Sequence, residues 1–316
     1  MIPATQTRKD FLSVLDLDAS DLERCLGLSA QVKADRSLGL QAPTAQALNG
    51  RHVAMLFDKP SLRTWTTFEI AIHELSGHVV VLKPDVALGH REAVGDVARN
   101  LERWVDAVVI RTFSQTLLQE FAAAAPRLHV INALTDAEHP CQAIADFLTL
   151  KEHLGTLRGK TLAFVGDGNN IAASLAHGAG LLGVNLHIAS PEPYQLKHEV
   201  VQQATSVARH GARLRLFSEP ADAVAGADAV YTDVWTSMGQ EAESEIRRQV
   251  FAGFQVNDEL MAAAKPGALF MHCLPAHRGE EVTHAVFEST ASVVFDQAEN
   301  RLHGQKALLL MLLARH

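Results

Sequence analysis

A chain of 316 residues is long for one hydrophobic core, so two α/β domains are expected. Its 36 acidic and 28 basic side chains give a formal net charge of -8, which speaks against general binding to nucleic acid or anionic membrane, since both need a basic field. Three cysteines form no secreted-type framework, there is no apolar signal core, and no apolar run matches a bilayer span, so a cytosolic protein is expected.

Short apolar runs alternate with helical patterns along the chain, the βαβ rhythm of parallel sheets. The first predicted strand is Val53–Phe57, and a helix over Thr66–Leu75 puts Phe68, Ile72 and Leu75 on one face. Strands follow at Val79–Leu82, Ala107–Ile110 and Val130–Asn132. A helix over Gln142–His153, with apolar Ile144, Phe147, Leu148 and Leu150, ends at Gly155 and is expected to bridge two lobes. In the second half, strands are predicted at Thr161–Val165, Leu186–Ala189, Ala229–Thr232 and Ala268–Met271, with a closing helix near Ala298–Ala314. The expected fold class is α/β, two doubly wound parallel-sheet domains joined by interdomain helices. Their bounds are 1–148 and 149–298, with a C-terminal helix over 299–316 packing back on the first.

Ligands of open parallel sheets bind beyond the carboxyl ends of the strands, so the polar residues that follow each strand are the candidates. Behind the first strand stand Ser61-Leu62-Arg63-Thr64. Ser61 can cap the helix that follows, whose free first-turn N–H groups would point at an anion, and Arg63 adds a fork of donors. Arg111 follows the third strand, and His139-Pro140-Cys141-Gln142 opens the bridging helix with a histidine and a glutamine able to face one ligand. In the second half, Gly166-Asp167-Gly168-Asn169-Asn170, Asp233 to Gly239 and His272-Cys273-Leu274-Pro275 each follow a strand. Asp233 suits a substrate ammonium; Asn170, Ser237 and backbone groups near Met238 suit a zwitterionic amino acid. The glycine run lacks the third glycine of a dinucleotide fingerprint, since Ile171 stands there. No His-Glu-x-x-His or paired Cys-x-x-Cys pattern occurs, so neither metal nor cofactor is implied.

In order and spacing, Ser61-Leu62-Arg63-Thr64, His139-Pro-Cys-Gln142, Asp233 with Ser237-Met238-Gly239, and His272-Cys273-Leu274-Pro275 resemble the aspartate/ornithine carbamoyltransferase family, its ornithine branch most closely. The likeness spans nearly the whole chain, ending at Phe295 to His303. It implies that Ser61, Leu62, Arg63, Thr64, Arg111, His139, Gln142, Cys273, Leu274 and Arg301 contact carbamoyl phosphate. It further implies that Asn170, Asp233, Ser237 and Met238 hold ornithine, with Cys273 and Leu274 between the two substrates. Arg63, Arg111, His139, Asp233 and Cys273 are the expected catalytic groups. Asp233 and Cys273 are both candidates to guide proton loss from the amine, and putrescine is the alternative acceptor. A homotrimer, or an assembly of trimers, is likewise implied. Two positions depart from the family pattern: Trp65 replaces a second arginine of the first motif, and Pro84 stands where many relatives carry a glutamine.

Overall fold

The computed structural model describes residues 9–58, 61–83, 91–237, 239 and 241–314. The chain divides into two compact units, Met1–Leu148 with Asn300–His316, and Thr149–Glu299.

In the first unit four parallel strands, β1 (His52–Phe57), β2 (His78–Leu82), β3 (Ala107–Arg111) and β4 (His129–Leu134), lie in the order β2-β1-β3-β4. Every residue of β3 is buried, the continuous apolar run of a parallel strand covered on both faces. Helices α1 (Ala19–Ala34), α2 (Leu62–Glu74), α3 (Val94–Leu101), α4 (Gln115–Ala124) and α5 (Pro140–Leu154) follow in chain order. Ala54, Leu56, Val108, Ile110 and Val130 of the sheet pack on Val97, Leu101, Leu118 and Phe121 of α3 and α4. Strand order reverses between β1 and β3, which opens a crevice beyond their carboxyl ends.

The second unit has five parallel strands, β5 (Thr161–Val165), β6 (Asn185–Ala189), β7 (Leu214–Phe217), β8 (Ala229–Thr232) and β9 (Leu269–His272), ordered β7-β6-β5-β8-β9. Helices α6 (Asn170–Leu182), α7 (His198–Ser206), α8 (Pro220–Val224), α9 (Ser244–Phe251), α10 (Asp258–Ala263) and α11 (His284–Phe287) accompany them, and α12 (Val294–Leu313) begins in this unit and belongs to the first from Asn300 onward. Here the order reverses between β5 and β8.

The parallel α/β class is the one expected, and the differences are local. Strand β7 was not predicted: it is a four-residue edge strand whose Arg215 and Leu216 face solvent, so it has no buried apolar run. Helix α2 starts at Leu62 rather than Thr66, because the apolar face legible in the sequence begins only at Phe68 and leaves the first turn unmarked. Helix α5 starts at Pro140, whose fixed φ and missing N–H suit the first helical position. The closing helix begins at Val294 rather than Ala298.

Candidate active site

In the first unit the crevice between β1 and β3 is floored by the start of α2 and the end of β3. Ser61 takes the N-cap position in extended conformation, φ -156 and ψ 104, but its hydroxyl makes no cap bond, contrary to the capping role expected for it. Leu62 is exposed, Arg63 half-buried, and Thr64 buried. Arg111 is the last residue of β3 rather than the first after it, and it is 6% exposed.

Arg301, on α12 within the same unit, is 2% exposed. Its Nη2 donates to Thr64 Oγ1 at 2.8 Å and its Nη1 to Gln142 Oε1. Both acceptors are neutral, so these bonds orient the guanidinium without cancelling its charge. Gln142 is itself held by Asp146, to whose Oδ1 its Nε2 donates at 2.7 Å. The His139 carbonyl accepts from the N–H groups of Gln142 (3.0 Å) and Ala143 (3.3 Å), which fixes the residue at the entry of α5. Burial, and then the positive charges of Arg301 and Arg111, hold the His139 imidazole well below its ordinary pKa of 6.5. The result is a neutral imidazole beside two cations, a group of donors suited to a phosphate dianion and a developing oxyanion.

Trp65 is engaged by its own neighbours. Its Nε1 donates to Glu69 Oε2 at 3.0 Å, and its ring meets Phe57 edge-on at 5.1 Å. Pro84 lies outside the described residues, as do Lys59 and Pro60 of the first motif.

In the second unit the register pairs Thr232 of β8 with His272 of β9, so the residues that follow, Asp233 and Cys273, emerge side by side. The Cys273 thiol donates to Asp233 Oδ1 at 2.9 Å. Asp233 also accepts from Asn169 Nδ2 (2.8 Å) and its neighbour's Val234 N–H (2.8 Å), and is 7% exposed. Asn170 opens α6 and Ser237 lies on the loop after β8. Both are half-buried, on the two loops that flank the reversal in strand order. Met238 lies outside the described residues.

Three supports were not singled out from the sequence. Asn169 caps α6 through bonds to the N–H groups of Ile171 (2.9 Å) and Ala172 (3.2 Å), and presents its amide to Asp233. A helix cap was the available signal, in the same Asn169-Asn170 pair from which only Asn170 was chosen. Arg247 of α9 donates from Nη1 to Asp167 Oδ2 (2.7 Å) and to the Trp235 carbonyl (2.9 Å), so one guanidinium ties together the loops after β5 and β8. Burial raises the Asp167 pKa, opposed by that bond to Arg247. Glu281, fully buried, accepts from His272 Nε2 at 3.1 Å and from the His277 N–H at 2.5 Å. His272 Nδ1 in turn accepts from the Leu274 N–H at 2.8 Å, which assigns the ring proton to Nε2. This chain holds Leu274 at φ 62, a left-handed conformation that few branched residues adopt. Nothing local in the sequence marks either Arg247 or Glu281.

Among the described residues, Asp233, His272 and Cys273 bring ligand-type atoms within 4.8 Å of one another, as do His277, Glu280 and Glu281. Both ring nitrogens of His272, and one oxygen of Glu281, already take part in the hydrogen bonds above, which a cation there would have to displace.

Comparison with known proteins gives two family matches in tandem. Residues 9–152 match the aspartate/ornithine carbamoyltransferase carbamoyl-P binding domain, and residues 158–312 the Asp/Orn binding domain of the same family. The ornithine carbamoyltransferase of Thermosynechococcus vestitus is 48% identical over 306 residues, 96% of each chain. The solved structure of ornithine carbamoyltransferase from Pyrococcus furiosus superposes with a TM-score of 0.93 at 43% identity, covering 98% of both chains. The anabolic ornithine carbamoyltransferase of Campylobacter jejuni gives a TM-score of 0.89 at 35% identity, over 96% of this chain and 98% of that one.

Proposed function

The chain belongs to the aspartate/ornithine carbamoyltransferase family, and from that membership we propose that it transfers the carbamoyl group of carbamoyl phosphate to the side-chain amine of L-ornithine, giving L-citrulline and phosphate. The first unit takes carbamoyl phosphate and the second the amino acid.

The donor is an activated mixed anhydride, so no covalent enzyme intermediate is required. A neutral amine adds to the carbamoyl carbon, a tetrahedral oxyanion forms, and the C–O bond to phosphate breaks as phosphate takes the electron pair. The protein's task is orientation and charge stabilisation. Arg63, Arg111 and Arg301 face the phosphate, with the Ser61 hydroxyl and the first N–H groups of α2. His139, Thr64 and Arg111 donate to the carbamoyl oxygen, and Gln142 completes the donor's surroundings. A neutral His139 is the form able to donate without adding a fourth cation to a site that must also release phosphate.

Asn170, Ser237 and Met238 hold the amino-acid end of ornithine, and Asp233 receives its ammonium. An alkyl ammonium has a pKa near 10.4, so it must lose a proton before attack. Asp233 and the thiol hydrogen-bonded to it form the pair that guides this loss. The single observation that carries the acceptor assignment is this buried carboxyl, fed by Asn169, Val234 and Cys273. An aspartate acceptor would set a second carboxylate against it. By family likeness the proposal extends to a cytoplasmic role in arginine metabolism and to assembly as trimers.

A colorimetric citrulline assay with carbamoyl phosphate, run on ornithine beside aspartate and putrescine, tests the reading. Citrulline from ornithine, with no carbamoylated product from the other two, is expected. Carbamoylputrescine as the main product would replace the acceptor, and no product at all from folded protein would refute the activity.

A further inference from the structure

One segment that touches no proposed ligand closes on the loop that delivers His139. Phe11, fully buried, adds a single parallel bridge to the outer edge of β4: its N–H donates to the Val130 carbonyl at 2.9 Å, and its carbonyl accepts from the Asn132 N–H at 2.8 Å. The Leu12 carbonyl then takes the Asn132 amide at 2.8 Å. A tight turn over Val14–Asp16 follows, closed by a reciprocal capping box. Ser13 Oγ accepts from the Leu15 N–H at 3.1 Å, and Asp16 Oδ2 accepts from the N–H groups of Leu12 (2.6 Å) and Ser13 (2.9 Å).

Two further donors of this turn converge on one carboxyl group. Ser13 Oγ donates to Glu138 Oε1, and the Val14 N–H donates to Glu138 Oε2 at 3.1 Å. Glu138 is 6% exposed and immediately precedes His139. Its backbone is fixed as well: its N–H donates to Thr135 Oγ1 at 3.3 Å, and its carbonyl accepts from the Thr135 N–H at 2.9 Å. Thr135 Oγ1 is anchored in turn on Gln115 Oε1 at 2.6 Å. The peptide entering His139 is therefore pinned on its side chain by the N-terminal turn and on its backbone by the strand-to-helix loop.

We propose that Glu138 is a positioning residue for the carbamoyl transfer: clamped by Ser13 and Val14, it fixes the backbone from which His139 aims its imidazole at the carbamoyl oxygen. The inference rests on the role given to His139 above. Glu138 touches no substrate, so its loss acts on geometry, and a displacement of about 1 Å can cost about a hundredfold in rate. Glutamine at 138 keeps an oxygen for the Val14 N–H, while the Ser13 hydroxyl turns to accept from the new amide. Alanine leaves both donors without their acceptor.

The test is steady-state citrulline formation by the full chain and its Glu138→Ala, Glu138→Gln, Ser13→Ala and His139→Ala variants. Glu138→Ala is expected to lower kcat about 10- to 100-fold with carbamoyl phosphate KM moved less than about threefold, and Glu138→Gln to stay within about threefold of the parent. Ser13→Ala is expected to fall between them. Placed on His139→Ala, either Glu138→Ala or Ser13→Ala should add no further loss, because the group it positions is gone; a merely structural role would subtract again. An unchanged kcat in Glu138→Ala, or full additivity on His139→Ala, overturns the inference. If Glu138→Ala does not fold, the Ser13→Ala cycle decides by the same criterion. An inactive parent chain would instead sink the proposed reaction, and a fully active His139→Ala would sink the role of His139 and this inference with it.

Discussion

Arg63 stands half-buried in the first turn of α2, and the proposed reaction sets its guanidinium and the helix N–H groups toward one anion. Arg63→Ala is expected to lower turnover by about 10²–10³, the usual consequence of removing one donor to developing negative charge, with an unfolding midpoint close to the parent. Near-normal kinetics from the folded variant would remove Arg63 from the site. Asp233 offers a sharper contrast, since Asn169, Val234 and Cys273 all donate to it. Asp233→Asn keeps the shape but sets an amide among those donors and removes the charge that meets the ammonium. Its ornithine KM should rise at least about tenfold while carbamoyl phosphate KM stays near the parent value, a loss of about 1.4 kcal/mol or more confined to one substrate. Equal change in both KM values would point to general disorder instead.

At the scale of elements, the loop after β5 shows how tightly the scaffold constrains a site loop. A methyl group built on Gly168 would lie 2.3 Å from the Leu196 backbone nitrogen and 2.5 Å from the Gln195 carbonyl carbon, so backbone has to move. Gly168→Ala should destabilise by about 1–3 kcal/mol and raise ornithine KM, because Asn169 and Asn170 ride on the same loop. Gly27→Ala, exposed within α1 and with nothing within 4 Å, should instead stabilise by about 0.5–1 kcal/mol. Thermal unfolding of the two variants beside the parent checks both signs; a neutral Gly168→Ala would show that the loop yields freely. The strands of both sheets were legible because buried parallel strands are continuous apolar runs, as Ala107–Ile110 is. Edge strand β7 was not, because Arg215 and Leu216 face solvent and the four residues bury too little to stand out. At the site, residues next to strand ends could be read from the parallel-sheet rule. Arg247 and Glu281 could not: Arg247 lies 80 positions from Asp167, and Glu281 nine from His272, separations set by the fold alone. The hydroxyl of Ser61, expected as a cap, makes no such bond, since N-cap chemistry gives a residue's position but not its rotamer.

For the whole molecule, the buried imidazole of His139 couples the site to acid stability. Its pKa is depressed in the folded state, first by burial and then by Arg301 and Arg111, while in the unfolded chain it returns to about 6.5. At pH above 6.5 both states carry the neutral ring, and its contribution to folding is fully present. Below 6.5 the unfolded chain takes up a proton that the folded one refuses, so stability falls as pH falls, by up to about 1.4 kcal/mol per pH unit for this one group. Glu74, Glu102 and Asp228 act in a separate window. Hydrogen bonds and charges from Lys306 and Arg36, from Arg127, and from Lys265 lower their pKa values, so their contributions are lost only at more acid pH, as the carboxylates protonate. Replacing His139 by glutamine should therefore flatten the first window and leave the second. Measured as unfolding free energy against pH, the gap between parent and His139→Gln should be constant above pH 6.5 and shift in favour of the variant below it, whatever constant penalty the substitution carries. Parallel curves through that range would mean that His139 protonates in the folded protein as it does in the unfolded chain. The imidazole would then be cationic in mild acid, and the neutral hydrogen-bond donor invoked for the carbamoyl oxygen would be lost there.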